Sequence, residues 1–209
     1  MHNAVVDAKA AARRYERTRD EAARCRRCEL WERATQTVFG EGPVPAPLML
    51  VGEQPGDKED LEGHPFVGPA GRILAEALEI AGIAREAAFV TNVVKHFRWR
   101  PSPNGKRRLH EKPTKANVTA CHVWIEKELE LVQPEVLVAM GATAAEALLG
   151  KSVAVMRDRG KHVASELAPT VLVTIHPSAV LRARDDREEM FDGFVRDLRV
   201  AARALGPGR

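Results

Sequence analysis

Apolar residues in this chain come in two kinds of run. Short unbroken ones, PLMLVG at 47–52, AAFVTNVV at 87–94, EVLVAM at 135–140 and TVLVTI at 170–175, have the length and β-branched content of strands buried on both faces. Longer stretches between them carry helical spacing. In AGRILAEALEIAG at 70–82, Ile73, Leu74, Ala77, Leu78 and Ala81 fall at i, i+1, i+4, i+5 and i+8, one face of a helix. Further helices are predicted over 4–24, over 117–132, in an alanine-rich segment ending at Gly150, and over 186–204. Strands that are apolar throughout and alternate with helices predict a parallel sheet covered on both sides. The fold class is therefore a three-layer α/β/α sandwich around a central, mainly parallel four-stranded sheet. No internal repeat is evident.

The 209 residues suit one domain, 1–209, with an N-terminal helical extension and a basic loop inserted at about 98–115. No apolar run approaches the roughly 18 to 20 residues that cross a bilayer. A cytosolic monomer without a membrane partner is expected.

Charge alters the picture only through its distribution. A net charge of +3 does not imply a polyanionic partner, but Lys95 to Lys115 holds eight Lys and Arg against one acid, Glu111. Most such runs are solvated loops. Phe97 and Trp99, interleaved in KHFRWRPSPNGKRR, favour nucleic acid here, because aromatic faces stack on bases while cations hold phosphates.

Three cysteines cannot form a paired disulfide framework. Cys25 and Cys28 make a C-x-x-C, a spacing that brings two thiolates to one metal or cluster, and Cys121 follows far downstream. In a cytosolic chain that favours metal. A four-ligand site then lacks one donor, and two histidines compete for it. His122 adjoins Cys121 on a helix and should point elsewhere, whereas His96 ends a strand and can face the site.

In open α/β sheets ligands bind beyond the carboxyl ends of the strands. The polar residues at those ends are Glu53, Gln54 and Asp57 after the first strand, His96 and the basic loop after the second, and His176 after the last. They are expected to converge on one edge.

The blocks GEQPGDKEDLEGHPFVGPAGRIL (52–74), TNVVKHF (91–97) and HPSAVLR (176–182), with C-x-x-C before the first and Cys121 after the second, resemble the uracil-DNA glycosylase superfamily. The likeness to its iron–sulfur family 4 runs along nearly the whole chain. Family 4 enzymes carry G-E-G-P-G and a cysteine after the second strand, where this chain has G-E-Q-P-G and His96. Those departures and the inserted GKRRLHEKP resemble the UdgX branch, whose members become covalently attached to the DNA from which they remove uracil. The resemblance implies uracil-containing DNA, single strands included, as partner. It also implies a [4Fe–4S] cluster on Cys25, Cys28, His96 and Cys121, with zinc on the same ligands as the competing possibility.

Cleavage of the deoxyuridine glycosidic bond builds positive charge on the sugar and negative charge on uracil. His176, placed by the HPS turn, is expected to donate to uracil O2. The resemblance puts Phe66 and Asn92 in the base pocket, one stacking on the extruded ring and the other pairing with its O4 and N3–H edge. Backbone N–H groups around Gln54 to Asp57 can hold uracil oxygens, leaving Glu53 and Asp57 as available carboxylates. His64 is a candidate for excluding thymine.

His110 is expected to attack C1′ of the sugar, with Glu53 accepting the ring proton and fixing the tautomer. Lys106, Arg107, Arg108 and Ser178 are expected on the DNA, Arg108 serving either as a phosphate ligand or as a brace for the loop. Two other readings stay open: a turnover glycosylase of family 4 type, and a non-catalytic iron–sulfur nucleic-acid-binding module.

Overall fold

The computed structural model describes residues 2–206. Four parallel strands, β1 (Leu48–Gly52), β2 (Ala88–Asn92), β5 (Val136–Met140) and β6 (Thr170–Thr174), form one sheet in the order β2-β1-β5-β6. Each matches a short apolar run, and apart from Thr170 every residue in them is buried. The chain moves from β1 outward to β2, then crosses back to add β5 on the other side of β1. That reversal opens a crevice between the carboxyl ends of β1 and β5, the usual place for a ligand in an open α/β sheet.

Two apolar cores flank the sheet. On one side pack α3 (Pro69–Ala81), α7 (Pro177–Arg182) and α8 (Arg187–Leu205). The helical face read from the sequence, Ile73, Leu74, Ala77, Leu78 and Ala81, is the buried face of α3. On the other side lie α1 (His2–Ala22), α4 (Lys115–Val132) and α5 (Ala142–Leu149), which gives the three layers expected. The short helices α2 (Asp57–Glu62) and α6 (Val155–Asp158) complete the helical set. No helix among the described residues is long and apolar enough to cross a membrane.

The inserted basic loop is ordered as an antiparallel hairpin of β3 (Trp99–Pro101) and β4 (Arg108–His110), pairing Trp99 with His110 and Pro101 with Arg108. Strands of three residues are too short to show an alternation in the sequence. Their pleat nevertheless decides the site, since Arg108 and His110 share one face and Leu109 takes the other.

One ion pair is wholly buried. Lys95 Nζ donates to Glu128 Oε2 (2.7 Å), Thr91 Oγ1 (2.7 Å) and the carbonyl of Asn92 (2.6 Å). Glu128 Oε1 accepts from the backbone N–H of Gly40 (2.9 Å) and from Thr91 Oγ1 (3.0 Å). A buried pair of charges is tolerable only with such full hydrogen bonding. Here it ties α4 to the carboxyl end of β2, where Asn92 begins the site.

Candidate active site

A cavity of about 970 Å³ opens at the carboxyl edge of the sheet, lined by Glu53, Phe66, Asn92, His110, Thr143 and His176 among others. Of the residues that topology is expected to bring to one edge, Glu53, Gln54, Asp57, His110 of the basic loop and His176 line this cavity, and His96 does not.

The floor is built by an absence of atoms. At Gly52, the last residue of β1, a Cβ would lie 2.5 Å from Asn92 Oδ1, 2.8 Å from Phe66 Cζ and 3.2 Å from His176 Nε2. Only glycine lets these three groups meet. Phe66 reaches the floor from a backbone at φ +58°, a left-handed conformation unfavourable for a bulky residue. Close packing of the turn holds it there. A Cβ on Gly71 would sit 1.7 Å from the Phe66 carbonyl oxygen, and Glu59 Oε1 accepts from the Gly68 N–H at 2.7 Å.

His176 caps α7, and its Nδ1 accepts from the backbone N–H of Ser178 (3.2 Å). The ring proton therefore resides on Nε2, which is buried without a partner among the described residues. Burial depresses the imidazole to about 4, against a raising influence from Glu53, so the ring is neutral and its Nε2–H is a donor aimed into the cavity. Asn92 Oδ1 is likewise buried and unpartnered. Buried polar atoms without partners are rare, and two beside one aromatic ring mark a place for a planar polar ligand. The Phe66 and His176 ring centroids are 6.0 Å apart.

The sugar side is charged. Glu53 Oε1 lies 3.3 Å from His110 Nε2, and its Oε2 accepts a short hydrogen bond from Thr143 Oγ1 across the β1–β5 crevice. Burial pushes the Glu53 carboxyl up, but the hydrogen bonds from His110 and Thr143 outweigh it and hold the group below the usual carboxylate range. Glu53 is thus an ionised acceptor beside a half-exposed imidazole. Thr143 was not foreseen, because nothing in the alanine-rich segment ending at Gly150 marks one threonine as lying across from Glu53.

Gln54 holds the hairpin rather than the ligand. Its side-chain amide donates to the carbonyls of Arg98 (3.2 Å) and Glu111 (2.9 Å), and its oxygen accepts from the Arg98 N–H (3.1 Å). One side chain thereby clamps both legs just outside the paired strands. Of the backbone N–H groups expected to face uracil, Gly56's is taken by Glu59 Oε2 (3.1 Å), and Pro55 has none.

The three consecutive cations divide. Lys106 and Arg107 are exposed at the hairpin tip. Arg108 and Ser178, expected among the DNA contacts, are directed inward instead. Arg108 Nε donates to Asp57 Oδ1 and Nη1 to the fully buried Asp60 Oδ2, each at 2.6 Å. That is the bracing role, and it also engages Asp57, expected to remain an available carboxylate. Ser178 Oγ bonds His176 Nδ1 at 2.8 Å and accepts from Arg182 at 2.9 Å, orienting the imidazole. His64 pairs with Glu41 at 2.6 Å and is not among the cavity-lining residues.

Cys25, Cys28 and Cys121 belong to one apolar cluster between α1 and α4. Trp124 Nε1 donates to Cys25 Sγ (3.1 Å) and the Lys95 N–H to Cys121 Sγ (3.2 Å). Among the described residues, no group of three or more His, Cys, Asp or Glu side chains is drawn together closely enough to hold a metal ion. The four expected ligands are therefore not assembled as a coordination shell in this arrangement. The donor chemistry fits a thiolate centre all the same: the three cysteines pack into or against one apolar cluster, and two of their sulfurs receive N–H donors. Of the two histidines, His122 is half-buried and faces Glu126 (3.6 Å), while His96 is buried with Nε2 2.9 Å from Thr37 Oγ1.

The family profile of the uracil DNA glycosylase superfamily matches residues 39–199. The type-4 uracil-DNA glycosylase of Sulfurisphaera tokodaii is 33% identical over 195 residues, which cover 88% of this chain and 84% of that one. The type-4 uracil-DNA glycosylase of Thermotoga maritima is 38% identical over 164 residues, covering 78% and 81%. The crystal structure of Pedobacter heparinus SMUG2 shares the fold, with a TM-score of 0.55 at 15% identity over 78% of this chain and 77% of that one.

Proposed function

The chain belongs to the uracil DNA glycosylase superfamily, and on that premise we propose that it excises uracil from DNA and then becomes covalently linked, through His110, to C1′ of the sugar left behind. The observation that carries the second half is the pairing of His110 Nε2 with an ionised Glu53 at 3.3 Å, at the mouth of a cavity whose floor suits a planar base.

The extruded uracil stacks on Phe66, with the Asn92 amide on its polar edge and the His176 Nε2–H on O2. As the N1–C1′ bond breaks, its electron pair passes to uracil, and the His176 donor meets the charge growing on O2. A neutral donor suits this task, since it stabilises the leaving anion without surrendering a proton to it. The unprotonated ring nitrogen of His110 then forms a bond to the cationic C1′. The other ring nitrogen keeps its proton in a hydrogen bond to the ionised Glu53, so that an alkylated imidazolium paired with that carboxylate remains. Thr143 holds Glu53 in place, while Arg108 and Gln54 hold the hairpin.

Lys106 and Arg107 contact the phosphate backbone in this reading, and single-stranded DNA is a substrate of a monomeric enzyme. A [4Fe–4S] cluster would be held by Cys25, Cys28 and Cys121, with His96 as fourth ligand. It would supply structural cross-linking of α1, α4 and the end of β2, and the reaction needs no redox step from it. Metal analysis of anaerobically purified protein tests this: stoichiometric zinc without iron or labile sulfide would refute the iron–sulfur assignment.

Denaturing electrophoresis after incubation with a uracil-containing oligonucleotide tests the function. The expected result is a protein–DNA band that peptide mapping locates at His110 and that His110→Ser abolishes. A free abasic product alone indicates ordinary turnover, and unchanged DNA indicates a binding module; either result refutes the trapping reading.

A further inference from the structure

The segment between α1 and β1 is stapled to the hairpin at Arg33. Trp99 Nε1 donates to the carbonyl of Arg33 (2.9 Å), and the Arg33 guanidinium carbon lies 4.5 Å from the centre of the Trp99 ring. The same pairing recurs seven residues earlier, where Arg26 lies 4.5 Å from the ring centre of Trp31. Both arginines are exposed and both indoles half-buried. Among the described residues neither guanidinium makes an ion pair or a hydrogen bond. Nearby acids do not pair with them: Glu21 pairs with Lys127 (2.7 Å), Glu29 accepts from Asn117 Nδ2 (2.9 Å), and Glu29 and Glu32 stand against Arg24, Arg26, Arg27 and Arg33.

A guanidinium resting on an indole is planar, weakly hydrated and already restricted, so it loses little freedom on binding; its outer face can take a base while its in-plane N–H groups take a phosphate. Two such platforms in succession suit a strand whose bases are unstacked, since a duplex hides its base faces. We propose that Arg26 on Trp31 and Arg33 on Trp99 form a second contact for single-stranded DNA, holding the flank of the strand whose uracil lies in the cavity. The placement of the lesion rests on the proposed function. Flank binding does not, because it requires no uracil.

The experiment is fluorescence anisotropy with a thymidine-only single strand and with a duplex of equal length, over a salt series. Arg26→Gln with Arg33→Gln should weaken the single strand about 10-fold and flatten the log–log salt slope by about 1.4, from two phosphate contacts at about 0.7 each, while changing the duplex less. Trp31→Leu should weaken the single strand about 5-fold with the slope unchanged, because it removes the platform and no charge. Unchanged single-strand affinity in either variant, or equal losses on single strand and duplex, would overturn the proposal. Failure of the uracil reading would appear separately, as unmodified uracil oligonucleotide on the denaturing gel with the anisotropy differences intact.

Discussion

Around Gly52 the cavity floor is made from β1, β2, the turn before α3 and the cap of α7, with a neutral imidazole, an amide and a phenyl ring meeting where no Cβ intervenes. The hairpin above it has two strands of three residues, exposed at the tip, and is held by one amide clamp and the Arg108 ion pairs. The floor is shaped by packing and the hairpin is placed by charge. In the proposed reading the difference assigns recognition of the base and attachment to the sugar to separable parts, which should fail to different perturbations.

The largest effect is expected at the floor. Gly52→Val would drive a side chain into Asn92, Phe66 and His176 together, and single-turnover excision should fall by about 100-fold or more, with the adduct falling equally. Retained excision would break the comparison, because it would move the base elsewhere.

Next comes the pH response of the floor. His176 sits near 4 in the folded chain against about 6.5 unfolded, so the folded state binds fewer protons. Its contribution is fully present above pH 6.5 and is lost as pH falls through 6.5 toward 4, a total of about 3 kcal/mol. Urea unfolding at several pH values should show His176→Gln gaining on the wild type over that window. Parallel curves would show that the ring is not held neutral.

The hairpin should respond on its own. Arg108→Gln unpins β4 and leaves Asp60 buried without its cation, so adduct formation should drop about 10-fold while excision is spared. Arg108→Lys should recover only part, since one ammonium cannot reproduce the forked contact to Asp57 and Asp60. Equal loss of excision and adduct would merge the two parts into one.

The smallest effect lies at the tip. Lys106→Gln and Arg107→Gln should each reduce the salt slope of single-strand binding by about 0.7 and weaken affinity a few-fold, with the yield of adduct at saturation unchanged. A change in that yield would give the tip a role in chemistry.

Much of the floor was legible in advance. Unbroken apolar runs marked four strands, topology sent Glu53 and His176 to one edge, where they lie, and the resemblance placed Phe66 and Asn92 beside them. The pairing of Glu53 with His110 also stood in the sequence as an expectation, and the two now lie 3.3 Å apart. The division among Lys106, Arg107 and Arg108 was hidden, because three like charges in a row differ only once the hairpin register is known. Thr143 and the Lys95–Glu128 pair were hidden for another reason: each interaction joins residues far apart in the chain, 90 and 33 positions respectively. Gly52 was quoted only as part of a motif, since a residue that acts by lacking atoms leaves no chemical signature.

The hairpin's pleat also makes trapping a matter of parity. Arg108 grips the body of the protein and His110 meets Glu53 because two positions separate them on one short strand. Residues added or removed beyond the tip-side end of β4 leave that count intact, so the tip from Pro103 to Lys106 can drift in length and composition. A single residue inserted beside Leu109 would turn the imidazole to the opposite face while every side chain of the floor stayed in place. If His110 attacks as proposed, attachment and ordinary base release would then lie one codon apart, a step that leaves the residues of the floor untouched.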